Sequence, residues 1–392
     1  MLDSKDTKKI IGEVLVDIAE SINSGRCCEK IKIGLTTIGS EHGIDNLVQG
    51  AEIASRNKEN IDVVLIGPEV KTDLEVIKAD NEDLMNKKME DLLESGYISS
   101  CITMHYSFPI GVSTVGKILT PGLGKEMFIA TTTGTTSTSR VEAMVKNTIN
   151  GIIAAKASGV ENPKVGILNV DGAKQVEIAL RKLKENGYEI DFGQSQRSDG
   201  GCIMRGNDLL TGSVDVMVTD TLTGNILMKM FSSFTTGGSY EASGFGYGPG
   251  IGEDYNKNIL ILSRASGAPV VSNAFQYSLS LVKGNLFNVS QEEYMKANKA
   301  GLKSIFKSIS PAENTNSQNI KEPEKEVVTA QISGIDIMDL DEAVKCLWEK
   351  NIYAESGMGC TGPIVLVSDD NLDKALCELE DKSFIVTDKV DC

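Results

Sequence analysis

Apolar positions along the chain follow two alternating patterns. Short continuous runs stand at Ile31-Lys32-Ile33-Gly34-Leu35, Val63-Val64-Leu65-Ile66-Gly67, 99–104, Phe128-Ile129-Ala130, Lys164–Val170 and Val214–Asp220. Runs of this length, bounded by glycine and polar residues, predict buried strands. Between them, apolar residues recur at helical spacing. The period predicts helices over 7–24, 44–57, 82–95, 139–158, Ala173–Gly187 and from Asn225 to Phe234. In the first of these, Ile10, Ile11, Val14, Leu15, Ile18 and Ala19 share one face. Strand, loop and helix alternating over short connections predict a doubly wound, mostly parallel sheet in a Rossmann-like α/β/α arrangement. A ligand is then expected at the carboxyl ends of the strands.

Two stretches break this rhythm. Residues 235–254 are dense in glycine and aromatic residues, which reads as a loop over or beside the site, or as a surface or interface segment without catalytic duty. Residues 311–326 are polar and contain Pro311 and Pro323, the pattern of a linker. The expected organisation is a body over 1–310, the linker, and a small α+β domain over 327–392. That domain reads as strand 327–332, helix 340–349, strand 352–354, strand 364–367, helix 371–380 and strand 384–386, a split βαβ arrangement.

Composition narrows the function. The 392 residues are 41% apolar and 24% charged, as in ordinary globular proteins. A net charge of −16 argues against nucleic acid or an anionic membrane as partner. The chain shows no run of membrane-spanning length, and Met1–Asp6 lacks the apolar region of a signal peptide, so a cytoplasmic protein is expected. The eight cysteines lack metal-ligand spacing, and His42 and His105 are the only histidines. No metal is expected, and the cysteines are expected as free thiols. There is no GxxxxGK[ST] loop and no dinucleotide fingerprint after a strand, so no cofactor is expected.

The chemistry concentrates at Gly357-Met358-Gly359-Cys360-Thr361-Gly362-Pro363. Glycines around a cysteine give a substrate access to the thiol and let backbone amides converge. Cys360 is thus a candidate nucleophile for acyl transfer, with amides of Gly359, Cys360, Thr361 and Gly362 as candidate oxyanion donors. The alternative is a small residue in a tight turn. A nucleophilic thiol needs a base or a lowered pKa; His105 and His42 are candidates, as is a lysine or the backbone. Two strand-to-helix turns are candidate phosphate sites. One runs from Thr131 to Arg140, with Thr132, Thr133, Gly134, Thr135 and the Arg140 guanidinium. The other comprises Thr221, Thr223, Gly224 and Asn225. Each combines hydroxyls, glycine and the free amides of a helix start. Either could instead be a capping segment. Lys174 is a third, weaker candidate.

Specific strings add a resemblance. Val165–Val170, followed some 50 residues on by Asp215–Lys229, resembles the phosphate acyltransferases of phospholipid synthesis, with their VGLLNIG and DVVVTDGFTGNVVLK-like strings. Thr36–Gly43 is similar to their DAMGGDHG, departing at Thr36, Ser40 and Glu41; Asp171–Lys174 departs from their KGN-containing loop. This likeness covers about residues 30–310 and implies the phosphate acyltransferase fold. With the GMGCTGP-bearing tail and Met104–Val112, the whole chain resembles one family, the alpha subunit of protein C in the glycine/sarcosine/betaine reductase complex. That resemblance implies acetyl transfer from a selenoprotein-borne intermediate, through Cys360 as acetyl carrier, to inorganic phosphate, giving acetyl phosphate. The implied partners are the protein C beta subunit and selenoprotein A, within a homo- or hetero-oligomer. The alternatives are an acyl-acyl-carrier-protein:phosphate acyltransferase and a scaffold subunit without catalysis.

Overall fold

The computed structural model describes residues 30–57, 60–197, 200–309, 322–335, 339–359, 362–382 and 384–385. The helix expected over 7–24, together with Cys360 and Thr361, lies outside the described residues. The described residues begin with β1 (Ile31–Thr36), α1 (Gly43–Asn57), β2 (Ile61–Gly67), β3 (Glu75–Lys78), α2 (Glu82–Glu94) and β4 (Ser100–Thr103), all but β3 as the apolar pattern predicts. Then come β5 (Val112–Leu119), β6 (Glu126–Thr135), α3 (Arg140–Ala157), β7 (Lys164–Leu168), α4 (Ala173–Glu185), β8 (Asp191–Phe192), β9 (Ile203–Met204), α5 (Gly206–Thr211), β10 (Val216–Val218) and α6 (Thr221–Ser233). The body closes with β11 (Gly248–Ile251), β12 (Ile259–Ile261), α7 (Ala268–Lys283), α8 (Leu286–Lys299) and α9 (Leu302–Ile309).

These strands form one sheet of twelve, in the order β3-β2-β1-β4-β12-β11-β5-β6-β10-β7-β8, with β9 paired to β7. The first five run parallel to one another. β6, β10, β7, β8 and β9 also run parallel to one another. The antiparallel pairs β12–β11, β11–β5 and β5–β6 join the two sets, so the second set points opposite to the first. Both faces are covered, which is why the strands read as unbroken apolar runs. One face carries α1, α3, α4, α7, α8 and α9 over a core that includes Ile33, Leu65, Ile149, Val216 and Phe275. The other packs Met85 and Met89 of α2 and Met228 and Phe231 of α6 against Ile66, Ile129 and Met217.

The glycine-dense stretch corrects the expectation of a loop. Its end, Gly248–Ile251, is the buried strand β11 in the middle of the sheet. Glycine is what admits it: a Cβ on Gly248 would lie 1.8 Å from the Val115 carbonyl oxygen, and one on Gly250 would lie 2.3 Å from the Phe108 ring. Among the described residues, no helix is long and apolar enough to cross a membrane.

Beyond residue 322, β13 (Ala330–Ser333), α10 (Leu340–Glu349), β14 (Ala354–Gly359), β15 (Gly362–Val367) and α11 (Leu372–Asp381) form a second, smaller unit. β15 lies between β13 and β14 and is antiparallel to both, the split βαβ pattern expected. The strand expected at 384–386 is not present at 384–385, and residue 386 lies outside the described residues. Leu340, Leu347, Val365, Val367 and Leu379 form the core of this unit, and Ile110 of the body packs against it.

Candidate active site

The carboxyl ends of β6, β10 and β7 lie side by side. The first half of the threonine-rich segment expected as a loop, Thr131–Thr135, is instead the second half of β6. Between Ser113 and Val115 the pairing of β5 with β6 slips: Ser113 faces Gly134 while Val115 faces Ala130. The extra residues of β6 form a bulge around Thr114. The Thr114 hydroxyl lies 2.7 Å from that of Thr132 and 2.9 Å from that of Thr133, and accepts from the Thr133 amide at 2.9 Å. Thr132 also donates to the Tyr247 carbonyl at 2.8 Å and is fully buried. This corrects its assignment as a side-chain phosphate ligand, because its hydroxyl is spent in the interior. Thr135 is buried too, and its carbonyl accepts from the Gly111 amide at 2.9 Å.

The second turn is laid directly on the first. A Cβ on Gly224 would fall 1.7 Å from the Thr131 carbonyl oxygen, so only glycine lets α6 sit this close. Thr221 donates to the Gly134 carbonyl at 2.9 Å, and the Asn225 amide to the Thr132 carbonyl at 3.1 Å. Asp220 caps α6, accepting from the Thr223 amide at 3.0 Å and the Thr223 hydroxyl at 2.7 Å. Arg140, the first residue of α3, binds the same Asp220 carboxylate at 3.0 Å and reaches Asp171, just before α4, at 3.8 Å. Burial pushes the Asp220 carboxyl up, but Thr223 and Arg140 outweigh it and hold it below its ordinary value.

Three helix N-termini therefore meet here, those of α3, α4 and α6. The caps of α3 and α4, Ser139 and Gly172, make no side-chain capping bond. Aligned helix dipoles favour an anion, and the half-exposed Arg140 guanidinium adds a positive charge that it shares with Asp220 and Asp171. Lys174 stands on the same rim, but its ammonium is held by Glu177 at 2.6 Å.

The histidines belong to another cluster, at the carboxyl ends of β1, β4 and β12. The His42 Nε2 lies 3.2 Å from the Ala265 carbonyl oxygen, and its ring stands edge-on to Tyr240. His105 lines a cavity of about 130 Å³ with Gly39, Glu82, Thr103 and Arg264. α6 begins at the threonine bulge, and the turn that follows it leads to Tyr240; its 13 residues separate the two ends by about 20 Å. The structure does not bring His42 to the phosphate turns. Sequence reading missed Asp220 and Arg264, although each lies two residues past an apolar run at a strand's carboxyl end.

Cys360 and Thr361 join β14 to β15, whose closing pair is Gly359 with Gly362. Three other cysteines are unsuited to nucleophilic work. Burial pushes the thiols of Cys101 and Cys346 up, and that of Cys202 to about 11.

The body is a mostly parallel α/β sheet with helices on both faces. The chain belongs to the Fatty acid synthesis protein family, which matches residues 31–366. It is 56% identical, over 97% of its own length and 99% of the relative's, to the "Glycine/sarcosine/betaine reductase complex component C subunit alpha" of Peptoclostridium acidaminophilum. It is 30% identical to the "Phosphate acyltransferase" of Thermotoga maritima, over 51% of this chain and 68% of that one. A branched-chain phosphotransacylase from Enterococcus faecalis V583 superposes with a TM-score of 0.45 at 13% identity, covering 64% of this chain and 99% of that one.

Proposed function

We propose that the chain transfers an acetyl group from a partner-bound, thioester-level intermediate to inorganic phosphate, with Cys360 as the carrier, within a glycine reductase complex. The Cys360 thiolate attacks the acetyl carbonyl carbon, a new C–S bond forms, and the donor leaves. A phosphate oxygen then attacks the Cys360 thioester. The C–S bond breaks, the thiolate departs, and acetyl phosphate is released. The observation that carries this reading is the meeting of three helix N-termini with Arg140, a site suited to a phosphate dianion. The position of Ile110 supports the second step. It packs on the small unit's core, and the adjacent Gly111 donates to the carbonyl of Thr135, the last residue of β6. The small unit thereby touches the body one residue from a hydrogen-bond partner of the end of β6. The partners in this reading are a protein C beta subunit and selenoprotein A, named from the resemblance and from the 56% identical relative.

Incubation with acetyl phosphate, followed by mass spectrometry, tests it. One hydroxylamine-labile acetyl group is expected at Cys360, and Cys360→Ser should lose phosphate-dependent acetyl exchange by several orders of magnitude. Retained exchange in Cys360→Ser would instead support direct transfer to phosphate, as in the acyl-carrier-protein enzymes.

A further inference from the structure

Most of α3 is buried, and two of its buried residues are carboxamides, Asn147 and Asn150. A buried amide is costly unless its hydrogen bonds are met. Standing three residues apart, the two share one face of the helix, and their side-chain bonds leave it. The Asn147 Oδ1 accepts from the Ser113 hydroxyl at 3.2 Å and the Thr136 hydroxyl at 3.0 Å, and its Nδ2 donates to the Thr219 carbonyl at 3.3 Å. Asn150 holds Ser113 from the other side. It donates to the Ser113 hydroxyl at 3.0 Å and the Ile251 carbonyl at 2.9 Å, and accepts from Tyr294 at 2.7 Å.

Each partner of Asn147 adjoins a part of the candidate site. Ser113 stands where β5 slips against β6. Thr136 directly follows β6 and opens the turn that leads to Arg140. The Thr219 carbonyl belongs to the peptide plane shared with Asp220. Holding that plane fixes the direction in which the Asp220 side chain leaves the backbone. We propose that Asn147 is a positioning residue of this site, whose carboxamide aims the Asp220 carboxylate at Arg140 and so keeps the guanidinium beside the starts of α3, α4 and α6. A carboxamide suits the task because it donates and accepts at one point. Leucine would match its shape but leave the Thr219 carbonyl and two hydroxyls without this partner. An ionised carboxylate would keep both hydroxyl bonds and offer no proton to Thr219. The kinetic consequence rests on the phosphate reading above; the effect on the ion pair does not.

Labelling of Arg140 by phenylglyoxal in the full chain, read by peptide mass spectrometry, tests the ion pair without phosphate or turnover. Asn147→Leu should label Arg140 at least about tenfold faster than the parent, the factor for losing a charge-assisted hydrogen bond. Asn147→Asp, which keeps the size of the side chain, should move in the same direction at pH 8 and guards against a leucine variant that fails to fold. Thr148→Val is the control. Thr148 is equally buried on α3, but its hydroxyl bonds only the Met144 carbonyl of its own helix at 2.9 Å. Its variant should label Arg140 at the parent rate even where its melting point falls. In acetyl exchange, both Asn147 variants should raise the phosphate KM by about the same tenfold factor while kcat changes far less. Two results would each overturn the proposal: parent-rate labelling of Arg140 in both Asn147 variants, or equally fast labelling in Thr148→Val.

Discussion

Replacing Gly224 with alanine tests the join between the two candidate phosphate turns. The added Cβ would sit 1.7 Å from the Thr131 carbonyl oxygen, whereas ordinary contact begins near 3.4 Å. Relief requires α6 to move by about 1.7 Å, the shortfall between those two distances. Such a shift carries the Thr221–Gly134 bond from 2.9 Å and the Asn225–Thr132 bond from 3.1 Å beyond hydrogen-bonding range. Losing both costs about 2 kcal/mol, and the residual overpacking adds about 1–3 kcal/mol. Alanine returns about 1 kcal/mol of helix propensity. The net loss is about 2–4 kcal/mol, or a fall in Tm of about 4–8 °C at the lower end of the usual conversion, as suits a long chain. The assay is differential scanning calorimetry together with the phosphate dependence of acetyl exchange. Gly206→Ala is the control: Gly206 has nothing within 4 Å of its Cβ position, and its variant should melt with the parent. A Gly224→Ala protein that melts within about 1 °C of the parent, with unchanged phosphate dependence, would refute the reasoning.

Arg140→Ala should raise the phosphate concentration required for acetyl exchange at least about tenfold while leaving acylation of Cys360 nearly intact, because it removes the cation at the helix N-termini; steady-state kinetics and intact-protein mass spectrometry separate the two. We propose that residues 1–310 and 327–392 fold as separate units, so limited proteolysis should cut first within 311–326, and Ile110→Asp should speed release of the tail fragment without lowering the melting point of the body. Burial, opposed by hydrogen bonds from Ser263, Tyr247 and Ser266, holds the Glu241 carboxyl above its ordinary 4.5. A raised carboxyl stabilises the fold below its unfolded pKa and loses that contribution as pH climbs through the folded value. The stability of Glu241→Gln relative to the parent should therefore grow from about pH 4.5 to neutrality in urea titrations, and a pH-independent difference would contradict this.

Where the sheet is parallel and covered on both faces, the fold was legible, because such strands are continuous apolar runs. β5 escaped notice for the opposite reason: VSTVGKIL carries buried Ser113, Thr114 and Lys117, with the Lys117 ammonium placed 2.6 Å from Glu126. β11 was hidden because its glycines read as a loop while serving close packing. At the site, the hydroxyl-rich turns and Arg140 could be found from residue type and position. Which hydroxyls turn inward could not, since that depends on the register slip between β5 and β6. The separation of His42 from the phosphate turns was equally illegible. It follows from the antiparallel pairs that reverse the second set of strands, and those pairs join residues distant in sequence.

The placement of β11 and β12 has a consequence for how the chain reaches its native state. β4 finds its second neighbour only in β12, and β5 its second neighbour only in β11, more than 130 residues later. During synthesis, both edges stay open until residues 248–261 have emerged. α1, whose face is completed by α7, waits longer still, as Gly50 and Val271 show: a Cβ on that glycine would sit 2.5 Å from the valine. Contacts this distant make folding slow, and unpaired strand edges invite association with other chains. Fragments ending before residue 285 or so should therefore aggregate rather than fold, and the nascent chain should depend on holding factors until the central strands arrive.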